Sequence, residues 1–423
     1  MATTEAAPSE EGDRKLTGAE RRRLAVLGLP TFALALAITV VSTYGPTVAR
    51  QFTGSATVIG VLIAGEGVGA LLLPVAIGSW SDRLQTRIGG RLPFLVVGVP
   101  IAAVGLAAIG LAGSLGAMAV AVALFFVGYF VAYEPYRALY PDLMDADVAS
   151  RAQSTQAVWR GAGTGAALLG GGLLLAAGRE LPFALGAVVL VLVGVAFLAA
   201  VIRGGADQQE PGGDGVRETY AALGSMLRQE RALRAFFVAN GLWELALAAL
   251  KTFVILWLTR GLGITLSGAA LVVGAAALVI VGGAGVSGWL AGRYGRRRVM
   301  LVALVVFGVG LLVPLATTAL GPLIACVPFV AFGGGVLLSQ PYALLIPLMP
   351  SDRHGALTGF YSASRGIGVM LGPLLAGVAI TLLSGPLAST QGYAATWGVC
   401  SAAILLSVPL LLRLPADGQS STR

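Results

Sequence analysis

The chain has 423 residues, 57% of them hydrophobic and only 11% charged, with a formal net charge of +8. A soluble globular domain carries about a quarter charged residues, so the composition excludes a soluble globule, a disordered chain and a coiled coil alike. The two cysteines, Cys326 and Cys400, lie in apolar runs and make no disulfide framework or thiolate metal site, and the excess Arg falls in short clusters between such runs rather than in a nucleic-acid-binding stripe.

A helix needs about 20 apolar residues to cross the hydrocarbon core. Windows of that kind lie near 24–48, 56–78, 93–112, 116–137, 154–177 and 181–202, then 235–257, 265–289, 299–319, 321–345, 357–382 and 392–412. They are rich in Leu, Val and Ala without an alternating pattern, which predicts helices rather than a barrel. The expected fold is an all-α integral membrane protein with twelve transmembrane helices. Residues 1–20 read as a disordered polar tail, 21–202 as a six-helix bundle, 203–232 as a linker with an amphipathic helix around 216–230, 233–413 as a second six-helix bundle and 414–423 as a tail. Arg21, Arg22, Arg23, Arg83, Arg87, Arg91, Arg151, Arg203, Arg293, Arg296, Arg353 and Arg413 fall on one set of ends, against Arg50, Arg179 and Arg260 on the other. By the positive-inside rule this predicts a multi-pass protein of the cell membrane with both termini in the cytoplasm.

The halves echo one another. GSWSDRLQTRIGGR (Gly78 to Arg91) precedes the third window, and GWLAGRYGRRR (Gly288 to Arg298) precedes the ninth, with Gly292 in the place of the acid. Pro135-Tyr136 with Pro141 matches Pro341-Tyr342 with Pro347, and Arg160-Gly161-Ala162-Gly163 matches Arg365-Gly366-Ile367-Gly368. Two six-helix units in the same orientation form a parallel repeat, the arrangement that places a solute site between halves near the bilayer midplane.

The first of these loops resembles the signature motif of the major facilitator superfamily, and the second loop resembles its weaker copy. The longer pattern carried by Ser81, Asp82, Arg83, Arg87, Gly89, Arg91, Pro93 and Phe94 is similar to the glycoside–pentoside–hexuronide and sucrose carriers, as is EPYRALYPDL (Glu134 to Leu143). The resemblance implies the major facilitator fold and secondary transport by alternating access. Gly69 and Leu73 stand where melibiose-type sodium carriers have two acids, and Phe126 stands where plant sucrose carriers have one. The familiar sodium site is therefore not reproduced.

A charged side chain at the bilayer centre costs about 2.5–3.5 kcal/mol on insertion scales, so each one needs a reason. The apolar windows hold Glu66, Glu134, Arg137, Arg160, Glu244, Lys251 and Arg365, three acids against four bases, which predicts mutual pairing. Asp82, Arg83, Arg87, Glu134, Arg137, Arg160 and Arg365 are candidates for a cytoplasmic gate in which Glu134 and Asp82 exchange arginine partners. Asn240, Glu244 and Lys251 share one face of the seventh helix, and Trp243 borders it. Asn240, Trp243 and Glu244, with Tyr44, Gln340 and Tyr342, are candidate solute contacts, suited to a polyhydroxylated ligand by hydrogen bonding and ring stacking. Glu244, Glu66 and Glu134 are the candidate proton carriers, and the glycines on either side of Glu66 predict close helix approach.

GVMLGPLLAG (Gly368 to Gly377) resembles an exporter pattern but lies in the eleventh helix rather than the fifth. Asp142, Asp145 and Asp147 form an acidic cluster without a second cluster to face it, and His354 is the only histidine. No phosphate-binding loop of the Walker type occurs. The expectation is a non-enzymatic, cofactor-free and metal-free carrier, monomeric, with no nucleic-acid partner. Its cargo is a small polar solute, a sugar or glycoside, moved with protons through the lipid bilayer. A proton-coupled exporter of hydrophobic compounds is the alternative within transport; a membrane enzyme using Asp142 and a non-transporting sensor are the alternatives outside it.

Overall fold

The computed structural model describes residues 17–81, 83–142, 146–203, 224–225, 227–228, 230–348 and 354–415. Most of the linker, residues 1–16 and 416–423 and Asp82 lie outside the described residues; 224–225 and 227–228, within the expected amphipathic helix, are helical, and α1 begins inside the expected N-terminal tail, at Gly18. Twelve long helices run through the remainder, and no strand occurs among the described residues. The first half holds α1 (Gly18–Ala49), α2 (Ala56–Ser81), α3 (Leu92–Leu111), α4 (Leu115–Asp142), α5 (Ala146–Ala177) and α6 (Leu181–Arg203). The second holds α7 (Arg231–Leu256, running on as a wider turn over Trp257–Gly261), α8 (Leu266–Tyr294), α9 (Arg296–Gly310), α10 (Leu320–Ser339), α11 (His354–Leu382) and α12 (Ala395–Leu411).

Ten of these helices are long and apolar enough to cross a bilayer, and α12 is a shorter apolar helix. The remaining one, α5, opens on a polar stretch that includes Asp147, Arg151, Gln153 and Gln156. Helix ends follow local chemistry. Thr17 caps α1 by accepting from the Glu20 backbone N–H at 3.3 Å, while the Glu20 carboxylate accepts from the Thr17 N–H at 2.8 Å. Prolines place two breaks inside the expected windows. The ninth span stops at Gly310 and restarts as a short turn over Val313–Ala316, where Pro314 takes an early position that needs no N–H partner. The tenth stops at Ser339, and Pro341 opens another short turn.

The twofold repeat in sequence becomes a repeat in packing. In the first half α1 packs on α5 and α6, α3 on α4 and α6, and α2 on α4; in the second, α7 packs on α11 and α12, α9 on α10 and α12, and α8 on α10. Gly89 and Gly295, each between the second and third helices of its half, both adopt positive φ (98° and 89°), which only glycine takes without strain. Each loop thus places a glycine of positive φ ahead of the third helix of its half.

The halves meet along α2 with α11, α5 with α8, and α1 with α7. Large aromatic residues fill the interior of each bundle, including Phe125, Phe183 and Phe197 in one and Phe236, Phe253 and Phe307 in the other. Aliphatic side chains such as Leu111, Val120, Leu192, Leu278, Leu320 and Ile324 cover the exterior, as a surface in contact with acyl chains requires.

Candidate functional site

Glu66 lies in the eleventh position of α2, about 15 Å along the helix at 1.5 Å per residue. Its carboxylate is buried, with the side chain only 5% exposed. Lys251 of α7 brings its Nζ to 3.0 Å from both carboxylate oxygens, joining the two halves. From α1, the Ser42 hydroxyl donates to Glu66 Oε2 at 2.5 Å, and the same hydroxyl lies 2.8 Å from the Ile38 carbonyl. A hydroxyl carries a single proton. Both contacts are therefore hydrogen bonds at once only when Glu66 is protonated and donates to Ser42; when Glu66 is ionised, Ser42 must choose. The expected close approach around Glu66 is present, since a side chain at Gly67 would collide with the backbone nitrogen of Met370 in α11.

The shared face of α7 turns toward α11. Asn240 Nδ2 donates to Ser364 Oγ at 2.7 Å, and its Oδ1 is buried with no hydrogen-bond partner. One turn on, Glu244 Oε2 lies 3.5 Å from Arg365 Nε. The Arg365 side chain keeps 42% exposure, so the pair borders accessible volume rather than sealed core. Lys251 belongs to the same face but pairs with Glu66, not with Glu244.

In α4, Glu134 and Arg137 form an i,i+3 pair at 3.8 Å. Arg160 of α5 donates from Nη2 to the Tyr133 hydroxyl at 2.9 Å and lies over the same ring, 6.0 Å from its centroid. Tyr133 stacks on Tyr129, centroids 5.2 Å apart. Arg160 and Arg365 both act electrostatically on Tyr129 of α4 and Tyr361 of α11.

The seven intramembrane charges thus form three acid–base pairs plus Arg160 on a phenol. Of the expected gate contacts, Glu134–Arg137 is present within α4, while Arg365 pairs with Glu244 across the α7–α11 seam. Arg83 and Arg87 are exposed on the loop after α2. Asp82, expected to pair in the gate with Arg137, Arg160 or Arg365, lies outside the described residues.

Two expected solute contacts turn into helix seams. Trp243 is 1% exposed and donates its ring N–H to Ser407 Oγ of α12 at 2.7 Å. Tyr44 is buried between α1 and α5, where its hydroxyl donates to the Leu168 carbonyl. Their place on the seam follows from the small residues opposite, Ser407 and the pair Gly171 and Gly172, which leave room for a ring. Gln340 bridges α10 to α8 by donating from Nε2 to Ser287 Oγ at 3.2 Å. Tyr342 is 42% exposed and meets Tyr361 edge-on, whereas its repeat partner Tyr136 is buried against α1, donating to the Leu27 carbonyl at 3.0 Å. Tyr129, Ser364, Ser287 and Ser407 carry contacts that the sequence did not single out. Of these, only Tyr129 had a signal, four residues before Tyr133 on the same face. No cluster able to hold a metal ion occurs among the described residues.

A family model described as Major Facilitator Superfamily matches residues 27–256 and 245–423. Among solved structures, the chain is similar to a bacterial homolog of the human lysosomal transporter Spinster in an inward-facing, unoccupied conformation (TM-score 0.76, 16% identity, 94% of this chain and 97% of that one). It is also similar to the nucleoside transporter NupG (TM-score 0.71, 14% identity, 94% and 100%) and to a bacterial homologue of the iron transporter ferroportin (TM-score 0.71, 17% identity, 94% and 99%). At these identities the likeness is one of fold. Among curated proteins, Multidrug resistance protein 3 of Bacillus subtilis (strain 168) is 29% identical over 101 residues, which is 24% of this chain and 20% of that protein. The putative multidrug resistance protein MdtD of Cronobacter sakazakii is 30% identical over 98 residues, 23% and 21% respectively. The chain spans about a fifth of the length of these curated relatives.

Proposed function

Because the chain belongs to the Major Facilitator Superfamily, we propose that it is a secondary transporter that moves a small polar solute across the cell membrane by alternating access, with protons as the coupling ion. Both termini face the cytoplasm, in accord with the arginine distribution. The Glu66–Lys251 pair carries the proposal, because it is a buried ionic link between the halves. Parting the helices at this level while Glu66 is ionised leaves a buried charge without its partner, a loss of about 3–5 kcal/mol. Protonation removes that charge. The Ser42 hydroxyl then accepts from Glu66 and donates to Ile38, while Lys251, whose side chain is 29% exposed, turns its ammonium toward water. The groups around Glu66 are Lys251 from α7, Ser42 from α1, Tyr129 from α4 and Arg365 from α11.

The motif after α2 favours a sugar or glycoside as cargo, and the polar groups between the halves (Arg160, Arg365, Glu244 and Tyr361) suit a polar rather than an oily solute. Glu244 and Asn240 remain candidate contacts; Trp243 and Tyr44 act in packing. Export of hydrophobic compounds is the second candidate, favoured by the short matches to multidrug resistance proteins. Reconstitution in liposomes under an imposed pH gradient separates the two. Uphill accumulation of a sugar-like solute that Glu66→Gln abolishes, with solute exchange retained, is the expected result. Normal accumulation by Glu66→Gln removes Glu66 as the proton carrier, and extrusion of hydrophobic dyes without movement of any polar solute supports the exporter.

A further inference from the structure

The charges between the halves do not balance. Glu134 engages Arg137 at 3.8 Å and Glu244 engages Arg365 at 3.5 Å, whereas Arg160 has the Tyr133 hydroxyl and no carboxylate partner among the described residues. Arg160 is exposed between the helices, and a guanidinium open to that space with no carboxylate of its own is available to an anion.

Arg160 and Arg365 are also repeat mates. Each begins an Arg-Gly-x-Gly run, Arg160 in α5 and Arg365 in α11, 205 residues apart. The last glycine of each run seats its helix on the first helix of its own half. A side chain at Gly163 would strike the Phe32 carbonyl of α1, and one at Gly368 the Gly241 carbonyl of α7. The same close approach is made in both halves, and α2 passes both arginines at one level: a side chain at Gly69 would meet the Phe130 ring of α4, one turn before Tyr133, and one at Gly366, next to Arg365, would meet Leu71. Both arginines are accessible, while Tyr133, which accepts from Arg160, keeps its own hydroxyl proton free to donate.

We propose that the transported solute carries an oxyanion, a carboxylate or a phosphate, gripped between Arg160 and Arg365 with the Tyr133 hydroxyl as a third donor. The planar guanidinium presents paired N–H groups that match two oxygens of such an anion, a geometry that an ammonium lacks. Arg365 meets Glu244 through Nε at 3.5 Å, a single long contact that leaves the terminal nitrogens for a ligand. One arginine per half also means that the anion itself ties the halves together as they tilt.

The inference rests on the transport proposal and names its substrate class. Its test uses three solutes with one carbon skeleton, glucose, gluconate and glucose 6-phosphate, measured for equilibrium binding to the purified full chain and for counterflow in proteoliposomes. Gluconate or glucose 6-phosphate should bind about tenfold or more tightly than glucose, the size expected of charge-assisted hydrogen bonds. Arg160→Gln should erase that preference, and Arg160→Lys, which keeps the charge without the fork, should retain only part of it. Preference for gluconate identifies a carboxylate and preference for the phosphate ester a phosphate; either supports the proposal. Equal binding of all three, binding of neither anion, or an unchanged preference in Arg160→Gln overturns it. Counterflow of glucose alone would overturn the anion while leaving transport intact, whereas anion binding without movement would overturn transport while leaving the anion site intact.

Discussion

Lys251 of α7 and Glu66 of α2 close a buried bridge between the two halves, the ammonium sitting 3.0 Å from each carboxylate oxygen. Removing one partner leaves the other charge stranded, and replacing both does not. Lys251→Met should therefore destabilise the protein by about 3–5 kcal/mol, and the double variant Glu66→Gln/Lys251→Met should recover most of that loss. Thermal unfolding in detergent reads both; a double variant no more stable than Lys251→Met would show that the pair is not a closed unit.

At the far end of the same seam, Thr57 of α2 and Thr381 of α11 share a hydroxyl hydrogen bond of 2.9 Å. Cysteines at these two positions should cross-link on oxidation and halt transport, with recovery on reduction. Full transport by the cross-linked protein would mean that α2 and α11 stay together throughout the cycle.

Trp243 is bonded to Ser407 rather than to the space between the halves. Ser407→Ala leaves a buried ring N–H without an acceptor and should lower stability by about 1–3 kcal/mol with the solute KM unchanged. A tenfold rise in KM on Trp243→Phe would instead return the ring to the ligand contacts.

Gly295 joins α8 to α9 at φ 89°, and Gly89 plays the same part after α2 at φ 98°. Alanine at either place should cost about 1–2 kcal/mol through the left-handed backbone alone. A stability scan of Gly89→Ala and Gly295→Ala checks this, and two unchanged melting curves would show that the loops can adopt another path.

The helices and the doubled architecture were legible because hydropathy and the repeated Arg and Gly positions are local signals. The face joining Asn240, Glu244 and Lys251 was legible for the same reason, as helical spacing alone puts them on one side. Partner choice was not. That Glu244 meets Arg365 and Lys251 meets Glu66 depends on how α7 leans on α11 and α2, which no spacing within one helix encodes. Trp243 misled for a related reason: an aromatic ring beside polar groups looks like a sugar platform, and only the serine opposite, 164 residues away in sequence, shows which seam it fills. The helix break before Pro341 was visible in principle, while the uninterrupted run of α4 through Pro135 shows that the same residue pair need not end a helix.

The placement of Ser42 has a mechanical outcome. A serine bonded back to the carbonyl four residues earlier tends to bend its helix, and one whose hydroxyl is drawn elsewhere does not. On the proposed proton coupling, loading the α2 carboxylate frees the single hydroxyl hydrogen of Ser42 for Ile38 and flexes α1, a helix that touches both bundles.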